Sequence, residues 1–553
     1  MNRLAYRLTT RLGLLLASTF AIFALLDVAP GGPLAAYVRN PHLGTADIAG
    51  LDRDFGAGRP FYLEYFAWIF RVLHGDLGWS HESGVPVSRV IGEGLPATIE
   101  LACVAFAVAV ALGAIVAFAR ARTRAKMLRD VFVVPQLLCR AMPVAVLALL
   151  LQLFLVRSTS LPVAGVASVD AFDLGDRLAH LAGPVLSLAV PFGAWSSLIF
   201  YNLFHASENA SRLTVRSALR AVAMTAALIG PALLAASLLI VEPTFAWPGV
   251  GRVIDRAFSQ FDLGVLAGSL LTYSAGVVLL GLCAMPSPDT RVARRRTRFS
   301  AFSVVAIVVL FVGVLGAVAA DLIAPVGPYL IDLVHWQGFP LPPGVGGHPL
   351  GTDENGRDLL SRLLIGLRFS LGIAAAATVI ATAIAAVVAR ATRALPWFDE
   401  RDALSVAGIR PFAALPFILA FVTVFVATDN SLRILNPLGM ALIIGVVSWP
   451  AIVPAFRARS RATLGAVVDL AACALLLEVT LSMFGFGIQP ATPSLGNLLA
   501  NAQPNVAIAP WAVWIPTAVI VVVLSALYAL GDDLRERGTE RRSRRPADAE
   551  DRR

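Results

Sequence analysis

Long runs of uncharged apolar residues alternate along this chain with shorter stretches rich in arginine, aspartate, proline and glycine. A run of about 18 or more such residues satisfies its own backbone as a helix across the hydrocarbon layer. The pattern predicts twelve of them. In the first half they cover 11–27, 95–119, 131–156, 181–204, 222–241 and 263–285, and in the second 302–324, 369–389, 404–427, 438–456, 464–483 and 511–530. The first run follows Arg3, Arg7 and Arg11, as in a secretion signal, but Asp27 and Pro30 stand where small cleavage-site residues belong, so a retained anchor is expected. The fold class expected is an all-α polytopic membrane protein.

A short pattern occurs twice, each time at the end of an apolar run. Glu242-x-Thr244-Phe245-x3-Gly249-x-Gly251 reappears as Glu478-x-Thr480-Leu481-x3-Gly485-x-Gly487. Other landmarks keep the same order, with Ser88-Arg89 and Ser361-Arg362 ahead of long runs and Pro143 and Pro416 inside the next ones. The chain thus reads as a tandem duplication of two six-helix bundles that enclose a central path. The carboxylates and glycines of the repeated pattern are candidates for the path or its external gate. They are equally placed to cap helices or hold a turn.

Composition agrees with a bilayer environment: 57% of the 553 residues are hydrophobic and only 15% charged. With the N-terminus inside, about two thirds of the 45 lysines and arginines fall in the cytoplasmic loops and tails. Both termini are therefore expected in the cytoplasm, and six spans per half make the repeats parallel. This asymmetry accounts for the net charge of +9 without nucleic acid as a partner.

Catalytic signatures are missing. Lys126 is the sole lysine, which excludes a G-x4-G-K-[ST] phosphate loop, and neither G-x-S-x-G nor H-E-x-x-H occurs. Cys103, Cys139, Cys283 and Cys473 lie singly in apolar runs, without metal-ligand spacing. The expectation is a non-enzymatic pore with no cofactor or metal of its own. Arg140, Arg410 and Asp469 are the deepest charges, each near enough to a span end to snorkel to water, so a proton- or sodium-driven transporter finds little support. Outside the spans, Phe61, Tyr62, Tyr65, Phe66, Trp68 and Phe70 predict an amphipathic helix at the membrane interface. In the second half, Gly351 and Gly356 permit turns before a helix that starts near Leu359, with Asp353 and Asp358 placed to cap it.

Several stretches together resemble a known family. Val28-Ala-Pro-Gly-Gly-Pro33, Gly75-Asp-Leu-Gly78, Leu95-Pro-Ala-Thr-Ile-Glu-Leu101 and Val241-Glu-Pro-Thr-Phe-Ala-Trp-Pro-Gly-Val-Gly251 resemble one permease subunit of the dipeptide, oligopeptide and nickel class of ABC importers. Leu350-Gly-Thr-Asp-Glu-Asn-Gly-Arg-Asp-Leu-Leu-Ser-Arg362, Glu478 to Gly487 and Gln489-Pro-Ala-Thr-Pro-Ser-Leu-Gly-Asn-Leu-Leu499 resemble its partner subunit. Met285-Pro-Ser-Pro-Asp-Thr-Arg291 is similar to the end of the first subunit type, and Ala293-Arg-Arg-Arg-Thr-Arg298 to the basic start of the second. The resemblance implies two type I importer transmembrane domains, 1–290 and 301–535, joined by a basic linker at 291–300 and followed by a charged tail at 536–553.

What the resemblance implies about partners follows. Two ABC ATPase domains on other chains use ATP and Mg, an extracytoplasmic solute-binding protein delivers dipeptides, oligopeptides or similar small solutes, and the site is the cytoplasmic (inner) membrane of a bacterium. ATPase coupling loops are expected between the fourth and fifth spans of each half, around Arg212 and Arg216 and around Arg457, Arg459 and Arg461; both segments are shorter than the family pattern. Asp353, Arg357 and Asp358 are candidates for docking the binding protein. The short loops also leave open an uncoupled scaffold or receptor derived from such a permease.

Overall fold

The computed structural model describes residue 20 and residues 61–80, 82–123, 132–158, 162–166, 173–206, 215–260, 262–282, 301–391, 437–458, 462–488 and 492–540. Regular structure among them is helical, with only isolated bridges such as Thr352 to Asp358. The helices that matter below are α1 (Phe61–Leu73), α2 (Val87–Arg122), α3 (Val133–Ala141), α4 (Val144–Ser158), α5 (Leu174–Ala206), α6 (Val215–Leu228), α7 (Gly230–Ala236), α8 (Val250–Gln260) and α9 (Leu263–Leu282). They continue as α10 (Ala301–Val318), α11 (Leu359–Ala391), α12 (Pro437–Ser448), α13 (Ala462–Met483), α14 (Leu495–Ala502) and α15 (Trp511–Glu540).

Six of the described helices, α2, α5, α9, α11, α13 and α15, are long and apolar enough to cross a bilayer, and the count reaches eight if two bent pairs each form one span. These helices account for six to eight of the twelve expected spans. The run at 131–156 breaks into α3 and α4 with a 97° bend, because Pro143 has no N–H to give and crowds the preceding turn. The run at 222–241 bends by 49° at the Gly230-Pro231 step between α6 and α7. The runs at 302–324 and 438–456 form the shorter apolar helices α10 and α12. Residues 404–427, and 11–27 apart from residue 20, lie outside the described residues, as does the linker at 291–300.

Helices in lipid gain little from hydrophobic burial and instead pack where small side chains let backbones approach. The α2–α5 pair does this with Ala105, Ala109, Gly113 and Ala117, where a Cβ on Gly113 would meet Gly193 O at 2.9 Å. Ser196 donates across the same contact to Ala109 O at 3.0 Å. In the other half, α11 presents Ala377, Ala381, Ala385 and Ala389, and Gly445 of α12 leaves room for Ile380. Close approach of α13 to α15 depends on Gly465 facing Gly531.

The aromatic segment predicted for the interface is α1. Its Tyr65 and Trp68 are buried with Ala267 of α9, while Tyr62, Phe66, Phe70 and Leu73 stay exposed. The helix therefore presents aromatic and apolar side chains both to α9 and to the outside of the protein.

Between α10 and α11 the chain forms an ordered loop. Asp358 caps α11 by accepting from the Ser361 backbone N–H at 2.8 Å and from its hydroxyl at 2.6 Å. His348 bridges Asp358 Oδ1 (2.9 Å) and Asp332 Oδ2 (3.2 Å), and Asp353 pairs with Arg357 at 2.7 Å and with the wholly buried Arg362 at 3.0 Å. Asp353 and Asp358 are buried and Arg357 is mostly covered. Each of these three candidate docking groups is engaged in the loop's own hydrogen bonds.

Candidate functional site

The repeated motif forms a clamp in each half. In the first, a single π turn at Ser237–Val241 precedes Glu242, so Ser237 and Glu242 align and the Glu242 backbone N–H reaches Ser237 O. The Glu242 carboxylate is fully buried and accepts from the Gly251 N–H at 2.7 Å, from the Thr98 hydroxyl at 3.1 Å and from the Ser237 hydroxyl at 3.3 Å. Thr98 in turn accepts from the Val250 N–H at 2.8 Å. One carboxylate and one hydroxyl thereby fasten the first turn of α8 to α2 and to the end of the α7 segment. Gly249 and Gly251 are required by space: a Cβ on either would press on the Glu242 carboxylate, and on Gly251 also on Leu238 O.

The second half repeats the arrangement with other residues. Glu478 is fully buried on α13, accepts from the Ser482 hydroxyl at 2.8 Å, and has the Ser370 and Ser494 hydroxyls within reach. The Leu495 N–H donates to Ser370 at 3.1 Å, as Val250 does to Thr98. Gly366 leaves room for Leu495 N as Gly94 does for Val250 N. Thr244 and Thr480 bond back to the carbonyls four residues earlier, Ile240 and Leu476. The structural partner of Gly249-Val250-Gly251 is accordingly Ser494-Leu495-Gly496 at the start of α14. Gly485 and Gly487 belong to the preceding turn, where Gly485 adopts φ +78° and Gly487 packs on Ser482. A capping box between Ser494 and Asn497 fixes that helix start.

Both clamps stand at the meeting of the halves. Phe258 of α8 packs on Phe486 beside α14, ring centroids 5.8 Å apart, over a cleft lined by Leu239, Pro243, Ile254, Asp255 and Phe484. The chain is 30% identical over 302 residues to a putative peptide permease protein of Brucella suis biovar 1, covering 50% of this chain and 93% of that protein. The chain belongs to the peptide permease family. The oligopeptide transport system permease proteins OppC and OppB of Mycobacterium bovis are 28% identical over 284 residues and 29% identical over 306. OppC aligns over 94% of its length and 45% of this chain, OppB over 93% and 50%. No family model matches.

For a multi-pass permease the chemistry of the site is positional. Glu242 and Glu478 hold helix starts in place and face no solvent. The Thr98 and Ser370 hydroxyls that complete the clamps were missed in the sequence, although each lies near the start of an expected span, 95–119 and 369–389.

Two of the three deep charges do not snorkel. Arg140 is 2% exposed and pairs with Asp532 at 2.7 Å, while Asp469, fully buried, pairs with Arg535. Arg410, Arg212, Arg459 and Arg461 lie outside the described residues; Arg216 and Arg457 are on helical backbone in α6 and in Val453–Ala458.

Proposed function

We propose that this chain is the complete membrane core of an ABC peptide transporter, with the two permease subunits of such systems fused into one polypeptide of twelve spans. The observation that carries the reading is a matter of length and kind. OppC and OppB are different subunits by name, each aligns nearly whole, and each accounts for about half of this chain. Paired clamps built on different residues, Thr98 with Glu242 and Ser370 with Glu478, support two related but non-identical halves.

On this reading the chain sits in the cytoplasmic membrane with both termini inside, peptides pass along the seam between halves, and two ATPase domains and a solute-binding protein come from other chains. ATP and Mg are used by those partners. Purification from the native membrane through a C-terminal tag, with quantitative mass spectrometry, tests it: two ATPase domains per permease chain are expected. The shortened loops around Arg212 and Arg459 favour one other reading, an uncoupled scaffold. Recovery without any ATPase, in a detergent that keeps a control ABC complex intact, establishes that reading instead.

A further inference from the structure

Two arginines and two aspartates meet at the seam, well away from the clamps. Arg140, at the end of α3, pairs with Asp532 of α15 at 2.7 Å, and Arg535 of α15 pairs with both Asp532 and Asp469 of α13. The cluster sets two basic groups against two acidic ones, and Arg140, which reaches across from the first half, is covered. The Arg140 guanidinium lies 4.3 Å from the Trp195 ring and 4.8 Å from the Tyr528 ring, and those rings meet edge to face at 5.1 Å, one from each half. Gly531 is needed because a Cβ there would meet the Asp469 carboxylate.

Location gives the cluster its meaning. Trp511, at the start of α15, touches Gly351 of the α10–α11 loop, and Asp532 lies about 30 Å farther along the same helix. On α13, Asp469 precedes Glu478 by about 13 Å of helix. The halves are thus joined by aromatic packing near the clamps and by charge at the other end. Arg140 also sits on a nine-residue helix that is set at 97° to α4.

We propose that Arg140, Asp532, Arg535 and Asp469 form a latch that closes the seam at this end and parts when the path opens there. The latch rests on the transport reading, since a path that never opens has no use for it. The Arg140 side chain is covered while 31% of the Asp532 side chain is exposed, so parting the pair moves a buried guanidinium toward water that already reaches its partner. Opening therefore admits water beside Tyr528 and beside Cys473, which is wholly buried on α13 about one helical turn beyond Asp469.

The test uses the full chain in nanodiscs with Cys103, Cys139 and Cys283 replaced by alanine, and reads the rate at which a soluble maleimide labels Cys473. Arg140→Gln and Asp532→Asn each leave one uncompensated charge, and each is expected to lower the melting temperature and raise labelling about tenfold or more. The double variant again sets basic against acidic groups in equal number but lacks the cross-seam pair. Its melting temperature is expected to recover while labelling stays fast. Labelling that returns to the parent rate in the double variant, or stays at it in all three, overturns the latch and leaves a stabilising cluster only. Should the single variants fail to fold, Arg140→Lys keeps the charge and loses the aromatic stack; intermediate labelling supports the latch, and parent-rate labelling overturns it. Because labelling needs no ATPase, loss of the transport reading shows in the purification experiment and loss of the latch shows here.

Discussion

Glu242 occupies a place where a carboxylate is costly unless every oxygen is used, and the chain uses both. Glu242→Ala leaves the Gly251 N–H buried without its acceptor, and a loss of about 3 kcal/mol is expected. Glu242→Gln keeps an acceptor and should lose about half of that. Thermal unfolding of the detergent-purified chain distinguishes the two, and equal losses would contradict the clamp. Gly251→Ala should cost about 2 kcal/mol by forcing its methyl group against Leu238 O and the carboxylate. Here the sequence was half legible. Repetition pointed to Glu242 and Glu478, but hydrogen-bond partners more than a hundred residues away, Thr98 and Ser370, have no local signature. The Gly485-x-Gly487 spacing suggested a false register, because the second half interposes a turn and residues 488 to 494 before its equivalent helix.

Among elements, the α10–α11 loop carries its own prediction. Hydrogen bonds from the His335 backbone and ring hold the Asp332 carboxyl well below the usual carboxylate range. A depressed value means the folded loop favours the ionised form, so this stabilisation is complete above about pH 4 and is lost as pH falls through the lower folded value. His335 and His348 both face that carboxylate. Acidification below about pH 4 should therefore loosen the loop around Trp336, which packs on Gly356. A shift in Trp336 emission that Asp332→Asn removes would establish the link; an identical acid transition in the variant would break it. A helix-packing prediction sits beside it. Gly113→Leu should separate α2 from α5 and prevent recovery of folded chain, whereas Gly372→Leu, which meets no neighbour, should be tolerated. Capping of α11 by Asp358 and the helical course of α1 were readable from local pattern alone. The bends at Pro143 and Pro231 were not drawn from hydropathy, because an apolar window cannot tell a straight span from a broken one.

At the level of the whole molecule, the proposed fusion of two permease subunits would make their pairing obligatory. Native mass spectrometry of the purified complex should find one copy of this chain with two ATPase domains; two copies would mean that each contributes only one working half. Periodicity exposed a polytopic helical membrane protein. The charges that join the halves were visible only as isolated residues near span ends, since Arg140 and Asp532 lie in different repeats and their meeting is a property of the assembled seam.

The helix at the centre of the first half has a further consequence for how this protein is made. α5 is the least apolar of the six long spans and the most enclosed, with 83% of its apolar stretch inside the protein. Its lipid is largely other helices. α2 is synthesised before it and carries the alanine and glycine face on which α5 comes to rest. Insertion of α5 into the bilayer is thus assisted by a neighbour already in place, and a lesion in α2 would be felt first during biogenesis, as a weakly hydrophobic segment left without shelter and open to membrane proteolysis.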